Sequence, residues 1–584
     1  MFKRLEPLKP YLYRYRVQFF WGGLALFLNN VIWIQFPRVI GRATDAMNRG
    51  TITRHLLTIY ALELVAIALS KGLFQYLMRQ ILIGVSREIE FDLRNDLFRH
   101  LESLSYSYYQ RTRVGDIMAR ATNDLNAVRM LLGPAIMYTA NTIVFTAGAL
   151  FFMLKISPRL TVFAFLPLPV ASILVQYFGR RIHERFERIQ ATFSDISARA
   201  QENFSGARLV RAYVQEEPEI ELFENANREY ISRSLKLVRL IGMLWPTLET
   251  LLGLAIILVL WLGGREVLLH RMTVGNFVAY NTYMVQLTWP VIALGWVINL
   301  FQRGTASLRR INDIFSEKPA ITDAAVAADL RNVALIDGDI EFRDLKFTYP
   351  NGSRVLKGID LHIPAGTSLA IVGPTGSGKS TLVNLIPRIY DAPPGSVLID
   401  GRSITDFPLE ALRKNIGFVP QETFLFSATI RDNIAFGTEE STDAEVEAAA
   451  DAASLAQDIE GFPQKYATVV GERGLTLSGG QKQRTAIARA IIRNPRILIL
   501  DDALSSVDTY TEERILNHLR EIMRGRTTIF ISHRVSTVRA ADQIAVLHGG
   551  VIVELGTHDE LLERNGYYAD LYNKQLLEEE LAKV

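Results

Sequence analysis

Long apolar runs recur six times in the first half of the chain, at 17–40, 56–84, 132–154, 160–178, 243–268 and 275–301. Each approaches the ~20 residues that a helix needs to cross hydrocarbon, so the pattern predicts six spanning helices. Buried helices of a large soluble protein are the plainer reading, and they fail on length and on multiplicity. From His55 to Leu104 no proline interrupts, and the helical pattern continues after the apolar run ends. One helix of about 75 Å, at 1.5 Å per residue, then carries nearly half its length out of the membrane. The stretch from Pro169 to Glu217 reads the same way. Each projection turns at a polar elbow, near Arg111–Arg120 and near Arg211–Leu222, placed to dock on another domain; ordinary solvated loops are the bland alternative.

After the sixth run the pattern changes. Arg303–Ala328 is polar and ends in small residues, which suits a linker. Strand-like runs then alternate with helical stretches: Ile340–Phe347, Ser368–Val372, Ser396–Ile399, Gly417–Val419, Ile497–Leu500, Thr527–Ile531 and Gln543–His548. That alternation predicts an α/β domain with its ligand at the C-terminal ends of the strands. The expected division is a membrane domain over 1–305, a linker over 306–337 and a soluble domain over 338–584.

Composition agrees with two solvents: 584 residues, 49% hydrophobic and 21% charged, are too many for one core. Arginines crowd the connections at 87–129 and 180–239, which the positive-inside tendency places in the cytoplasm, and the short connections at 41–55, 155–159 and 269–274 then face outward. Basic residues precede the first run without a cleavage site, so the N-terminus is expected in the cytoplasm and the chain in a cell membrane, inner or plasma. The chain has no cysteine, which removes disulfides, thiolate metal sites and thiol nucleophiles. A net charge of +3 is unremarkable, and no nucleic-acid partner is expected.

The chemistry lies in two motifs. Gly373-Pro374-Thr375-Gly376-Ser377-Gly378-Lys379-Ser380, followed by Thr381, is a phosphate loop. Its backbone N–H groups cradle a nucleotide's phosphates, Lys379 reaches the terminal phosphates and Ser380 the Mg²⁺. Further on, Leu477-Ser478-Gly479-Gly480-Gln481 opens a helix. Ser478 can cap that helix, and Gly479 and Gly480 let an ATP phosphate approach its positive end; that phosphate belongs to a facing subunit. The strand Ile497–Leu500 ends at Asp501, which suits a carboxylate that holds Mg²⁺ beside Ser380.

With these motifs the domain from about 338 onward resembles the nucleotide-binding domain of ATP-binding cassette (ABC) transporters, and the whole chain looks like a half-transporter of the exporter type. The resemblance implies an α-helical membrane domain of six transmembrane helices with long cytoplasmic extensions, plus an α/β P-loop ATPase domain with a helical subdomain. It implies that Tyr349 stacks on adenine, that Gln421 touches Mg²⁺ and the attacking water, that His533 contacts the γ-phosphate and that Asp508 couples two ATP sites. Gly471–Gly474 resembles the segment that meets the cytoplasmic elbows.

One residue departs from the pattern. Where hydrolysis-competent members have Glu as general base after the strand-end Asp, this chain has Asp502. Aspartate is one methylene shorter, a base must come within ~2.6–3.2 Å of its proton donor, and ~1 Å of misplacement costs about a hundredfold. A weakly hydrolytic site paired with a competent partner chain is therefore expected, a heterodimer; a homodimer in which backbone adjustment lets Asp502 serve stays open.

Asn29, Asn30, Gln35, Arg38, Lys71, Glu249 and Gln286 lie in or near the spans, where polar groups face a cavity or a partner. Trp33, Phe36, Trp245, Trp289 and Trp296 suit a flat apolar substrate, although interfacial belts give the same count. The expectation is ATP-driven export of hydrophobic or amphipathic compounds, drugs or lipids, across the bilayer by one half of a dimer. An ATP-gated channel or membrane regulator is the rival, and a soluble cassette ATPase is excluded by the spans.

Overall fold

The computed structural model describes residues 6–323, 326, 336–438, 440–471, 474, 476–504, 515, 518, 520–532 and 534–581. The chain divides into two compact units, Met1–Phe98 with Met118–Phe315, and Arg99–Ile117 with Ser316–Val584.

The helices up to residue 316 run, in chain order, α1 (Lys9–Arg14), α2 (Arg16–Asn48), α3 (Arg54–Ser103), α4 (Tyr106–Arg111), α5 (Val114–Ile156, with two π-helical turns), α6 (Pro158–Phe165), α7 (Pro167–Ser205), α8 (Ala207–Ala212), α9 (Glu216–Leu268) and α10 (Val274–Ser316). Among the described residues α2, α3, α5, α9 and α10 are long and apolar enough to cross a membrane. The fourth expected span, 160–178, is not one helix: it breaks at Leu166, between α6 and α7. Pro167 has no N–H to continue the ladder, so it starts a new helix instead.

Both elbows lie upstream of their expected places. The first occupies residues 104–113, where Ser105 and Thr112 are extended on either side of α4, and α5 already contains 114–120. The second occupies 206–215. Gly206 ends α7, and Glu216, Glu217 and Glu219 place α9's start where acidic side chains favour the positive helix end.

Within the first unit Ile34, Phe145, Val259, Tyr280 and Tyr283 form a core shared by α2, α5, α9 and α10, and Tyr283 donates to Ile34 O at 2.7 Å. Near the short connections α2 and α10 cross closely, and a Cβ on Gly275 would lie 2.0 Å from Gly41 O. Asp45 closes that crossing by accepting Gly275 N–H and the Thr273 hydroxyl, each at 2.7 Å.

In the second unit the strands are β1 (Ile340–Thr348), β2 (Arg354–Ile363), β3 (Ser368–Val372), β4 (Val397–Ile399), β5 (Arg402–Ser403), β6 (Ile416–Val419), β7 (Ile497–Asp501), β8 (Thr527–Ile531), β9 (Gln543–His548) and β10 (Val551–Gly556). β2-β1-β4-β5 form an antiparallel sheet, and β10-β9-β3-β8-β7-β6 a second sheet that is parallel except for β10. Successive residues of β3 serve opposite cores. Leu369 and Ile371 join Ile497, Ile499, Ile529 and Ile531 beneath the antiparallel sheet. Ala370 and Val372 join Leu498, Leu500 and Phe530 on the other face. That double burial is why the strand reads as an unbroken apolar run. The helices that matter for the site are α11 (Lys379–Leu385), α12 (Ile430–Ala435), α13 (Asp443–Ala452) and α14 (Gly479–Ile491).

Candidate nucleotide site

β3 leaves the middle of the parallel sheet at Val372, and the loop 373–378 carries the chain into α11. The loop conformation requires glycine at two points: Gly373 has φ +145° and a Cβ there would meet Leu547 O at 2.1 Å, and Gly378 has φ +104° with Leu356 and Val355 side chains 2.9 Å away. Lys379 is buried and folds back to donate to Gly373 O at 2.9 Å and Pro374 O at 3.0 Å. Burial lowers its pKa, against the opposing pull of Asp501 and Asp502, so both carboxylates act on the ammonium. Ser377 Oγ is buried and has no hydrogen-bond partner among the described residues. A buried orphan hydroxyl beside a lysine and a cradle too tight for Cβ atoms fits a polyphosphate, which supplies acceptors to all of them.

Ser380 donates to Asp501 Oδ1 at 3.1 Å, so the two expected Mg²⁺ ligands meet. The β6–β7 register pairs Val419 with Leu500, and Gln421 follows two residues after β6 ends. Asp502 sits at φ +49°, with its N–H bonded to Ile531 O at 3.0 Å. Among residues with a side chain, aspartate is one of those that tolerate this left-handed region best. Tyr349 bonds through its hydroxyl to Thr381 Oγ1 at 2.9 Å, and its ring stands edge-on to Phe347 and Tyr390. His533 and Asp508, and Glu472 and Arg473 of the segment before the signature, lie outside the described residues.

Ser478 caps α14: its Oγ accepts Gln481 N–H at 3.3 Å and Gln481 Oε1 accepts Ser478 N–H at 3.0 Å. Gln481 Nε2 and Arg484 both hold Asp458, at 3.0 and 2.7 Å, which fixes the helix start while Ser478 and Gly479 stay exposed. Among the described residues no hydrogen bond or ion pair joins 478–481 to the phosphate loop. The tertiary partners Tyr390, Asp458 and Arg484 escaped sequence reading, since no spacing marks them.

In the membrane helices Asn30 donates to Asn141 Oδ1 at 3.0 Å, an interhelical tie. Asn29 Oδ1 and Gln286 Oε1 are buried without a partner among the described residues. Lys71 Nζ stands 3.8 Å from the Trp33 ring centre, Trp33 stacks on Phe36, and Arg38 bonds Gln35 at 2.7 Å and covers Phe152.

A unit of membrane-length helices joined to a phosphate-loop ATPase unit defines an ATP-driven membrane transporter subunit. Residues 19–291 match the family described as ABC transporter transmembrane region, and residues 356–505 the family described as ABC transporter. The chain is 38% identical over 579 residues, 99% of its length and 98% of the relative's, to the probable multidrug resistance ABC transporter ATP-binding/permease protein YheI of Bacillus subtilis. It is 37% identical to the ATP-dependent lipid A-core flippase of Syntrophus aciditrophicus, covering 89% of this chain and 86% of that one. The solved structure of a bacterial Atm1-family ABC exporter with ATP bound superposes with a TM-score of 0.77 at 30% identity, over 96% of this chain and 99% of that one. The chain belongs to the ABC transporter family, and it is a membrane-embedded exporter subunit that binds ATP and couples its hydrolysis to transport.

Proposed function

We propose that this chain exports hydrophobic or amphipathic compounds, drugs or lipids, as the weakly hydrolytic half of a heterodimeric exporter in a cell membrane, its N-terminus and ATPase unit in the cytoplasm. Relatives named for multidrug resistance and for lipid A-core flipping support the substrate class. The observation that carries the reading is Asp502: a short carboxylate on a left-handed backbone follows Asp501, while the signature at 478–481 is capped, with Ser478 and Gly479 exposed.

Each residue then has a task. Lys379 and the loop N–H groups hold the terminal phosphates, and Tyr349 offers its ring to adenine. Ser380, Asp501 and Gln421 would hold Mg²⁺, which neutralises charge developing on the phosphates. Asp502 takes the proton of the attacking water poorly for want of reach; His533 contacts the γ-phosphate and Asp508 couples the two ATP sites. Ser478, Gly479, Gly480 and Gln481 serve the partner's ATP, where the base is Glu. The elbow tip exposes Leu209, Tyr213 and Val214, and the segment after Gln421 exposes Phe424 and Phe426, apolar surfaces suited to a second subunit. Closing around ATP and reopening after hydrolysis switches the membrane pathway between two states.

The test is transport of a fluorescent amphipath and of a labelled lipid into inverted vesicles that contain this chain with a Glu-bearing half-transporter. ATP-dependent accumulation supports the reading. Ion conductance that opens with ATP but moves nothing uphill contradicts it.

A further inference from the structure

Tyr390 lies five residues beyond the end of α11 and is 6% exposed, yet no motif contains it. Its ring centre is 5.2 Å from Tyr349 at 89°, 5.9 Å from Phe347, and 6.0 Å from Tyr106 at 77°. Tyr106 opens α4, the first elbow, and Gln110 of the same helix lies near enough to the Tyr390 phenol to lower its pKa. Edge-to-face contacts at these spacings are directional, because each ring's positive edge meets its neighbour's negative face. One buried ring thus touches both the elbow and the aromatic next to the phosphate loop.

The support beneath Tyr390 is stiff. Arg388, buried and at φ +51°, holds Asp391 at 2.8 Å, and Arg413 donates to Pro387 O at 3.0 Å and Arg388 O at 2.9 Å. Tyr349 is pinned at its far end by Thr381. A ring held on both sides transmits a displacement, since packed interiors shift between discrete arrangements and do not deform freely. Burial first, then the neighbouring phenols of Tyr349 and Tyr106, push the Tyr390 pKa up to about 12 against the opposing influence of Gln110, so the group stays neutral at physiological pH.

We propose that Tyr390 is a positioning residue that couples nucleotide binding at Tyr349 to the elbow helix α4 through its ring contact with Tyr106. This rests on Tyr349 being the adenine platform. Coupling of binding equilibria is reciprocal: if bound ATP steadies the elbow, the elbow sets ATP affinity. Tyr106, 53% exposed and outside the phosphate loop, must then influence ATP binding.

The experiment uses the full chain with its partner in membranes. This chain is photolabelled with 8-azido-ATP, ATP is the competitor, and the two subunits are resolved on a gel. Tyr106→Ala and Tyr390→Leu each weaken ATP competition about two- to tenfold, the worth of an aromatic pair. Tyr390→Phe, which keeps the ring, binds as wild type, and the double variant Tyr106→Ala/Tyr390→Leu is no weaker than Tyr390→Leu alone. Amide exchange of residues 105–112 slows with ATP in wild type and Tyr390→Phe but not in Tyr390→Leu, a response that a purely structural role would not give. Unchanged binding in Tyr349→Ala overturns the adenine platform and the coupling with it. Weakened binding in Tyr349→Ala with wild-type binding in Tyr106→Ala overturns the coupling alone.

Discussion

Ser380 donates its hydroxyl hydrogen to Asp501 Oδ1 across 3.1 Å, joining the first turn of α11 to the last residue of β7. The bond brings together the ends of two parallel strands with β8 between them, at the edge of the sheet where such folds bind ligands. Lys379 lies in the same turn, under the field of Asp501 and Asp502.

Lys379→Ala removes the one ammonium in this turn. Hydrogen bonds to charged groups are worth ~1.5–3 kcal/mol, so ATP binding at this chain's own site weakens about ten- to a hundredfold, while the helical unit folds as before. Titration of labelled ATP in an assay confined to this chain checks it; wild-type affinity contradicts the phosphate assignment.

A second expectation concerns the crossing of α2 and α10. Asp45→Ala strands Gly275 N–H and the Thr273 hydroxyl, and an orphaned buried donor costs ~1–3 kcal/mol. Gly275→Ala forces a methyl against Gly41 O. Both variants melt at lower temperature than wild type in the same lipid nanodisc, with Gly275→Ala at least as low as Asp45→Ala. Unchanged melting in both would show that this crossing bears no load.

Much of this architecture was legible in the chain. Ser368–Val372, Thr527–Ile531 and Gln543–His548 were expected as strands and have those bounds, because runs buried on both faces carry a continuous apolar signal. β2 was missed: Lys357 and Gly358 interrupt it, and bulges against β1 spoil its alternation. The break at Leu166 went unread because hydropathy averages over a proline that the backbone cannot ignore. At the site, Lys379, Ser380 and Asp501 were legible from spacing. The left-handed backbone of Asp502 and the contacts of Tyr390 were not, since both depend on residues distant in sequence.

Gly480→Asp and Asp502→Asn separate the two roles of this chain. The first places a side chain and a negative charge in the first turn of α14, where the partner's phosphate must approach, and abolishes ATPase activity of the assembled pair. The second alters a base that contributes little and reduces activity only modestly. Equal losses from both would assign the pair's turnover to Asp502 as much as to the signature.

Asp502→Glu restores the missing methylene at the cost of a less tolerated left-handed backbone. With the partner's Glu replaced by Gln, so that only this site can turn over, the variant hydrolyses ATP faster than the parent by up to about a hundredfold. A rate no higher than the parent's would mean that side-chain reach does not limit this site.

The heterodimer is tested most directly by ATPase activity of the chain purified alone, set beside the chain co-purified with a half-transporter that has Glu at the position of Asp502. The account predicts slow, barely stimulated hydrolysis by the chain alone and robust, substrate-stimulated hydrolysis by the pair. Robust and cooperative hydrolysis by the chain alone, abolished by Asp502→Asn, would contradict it and make Asp502 a competent base in a homodimer.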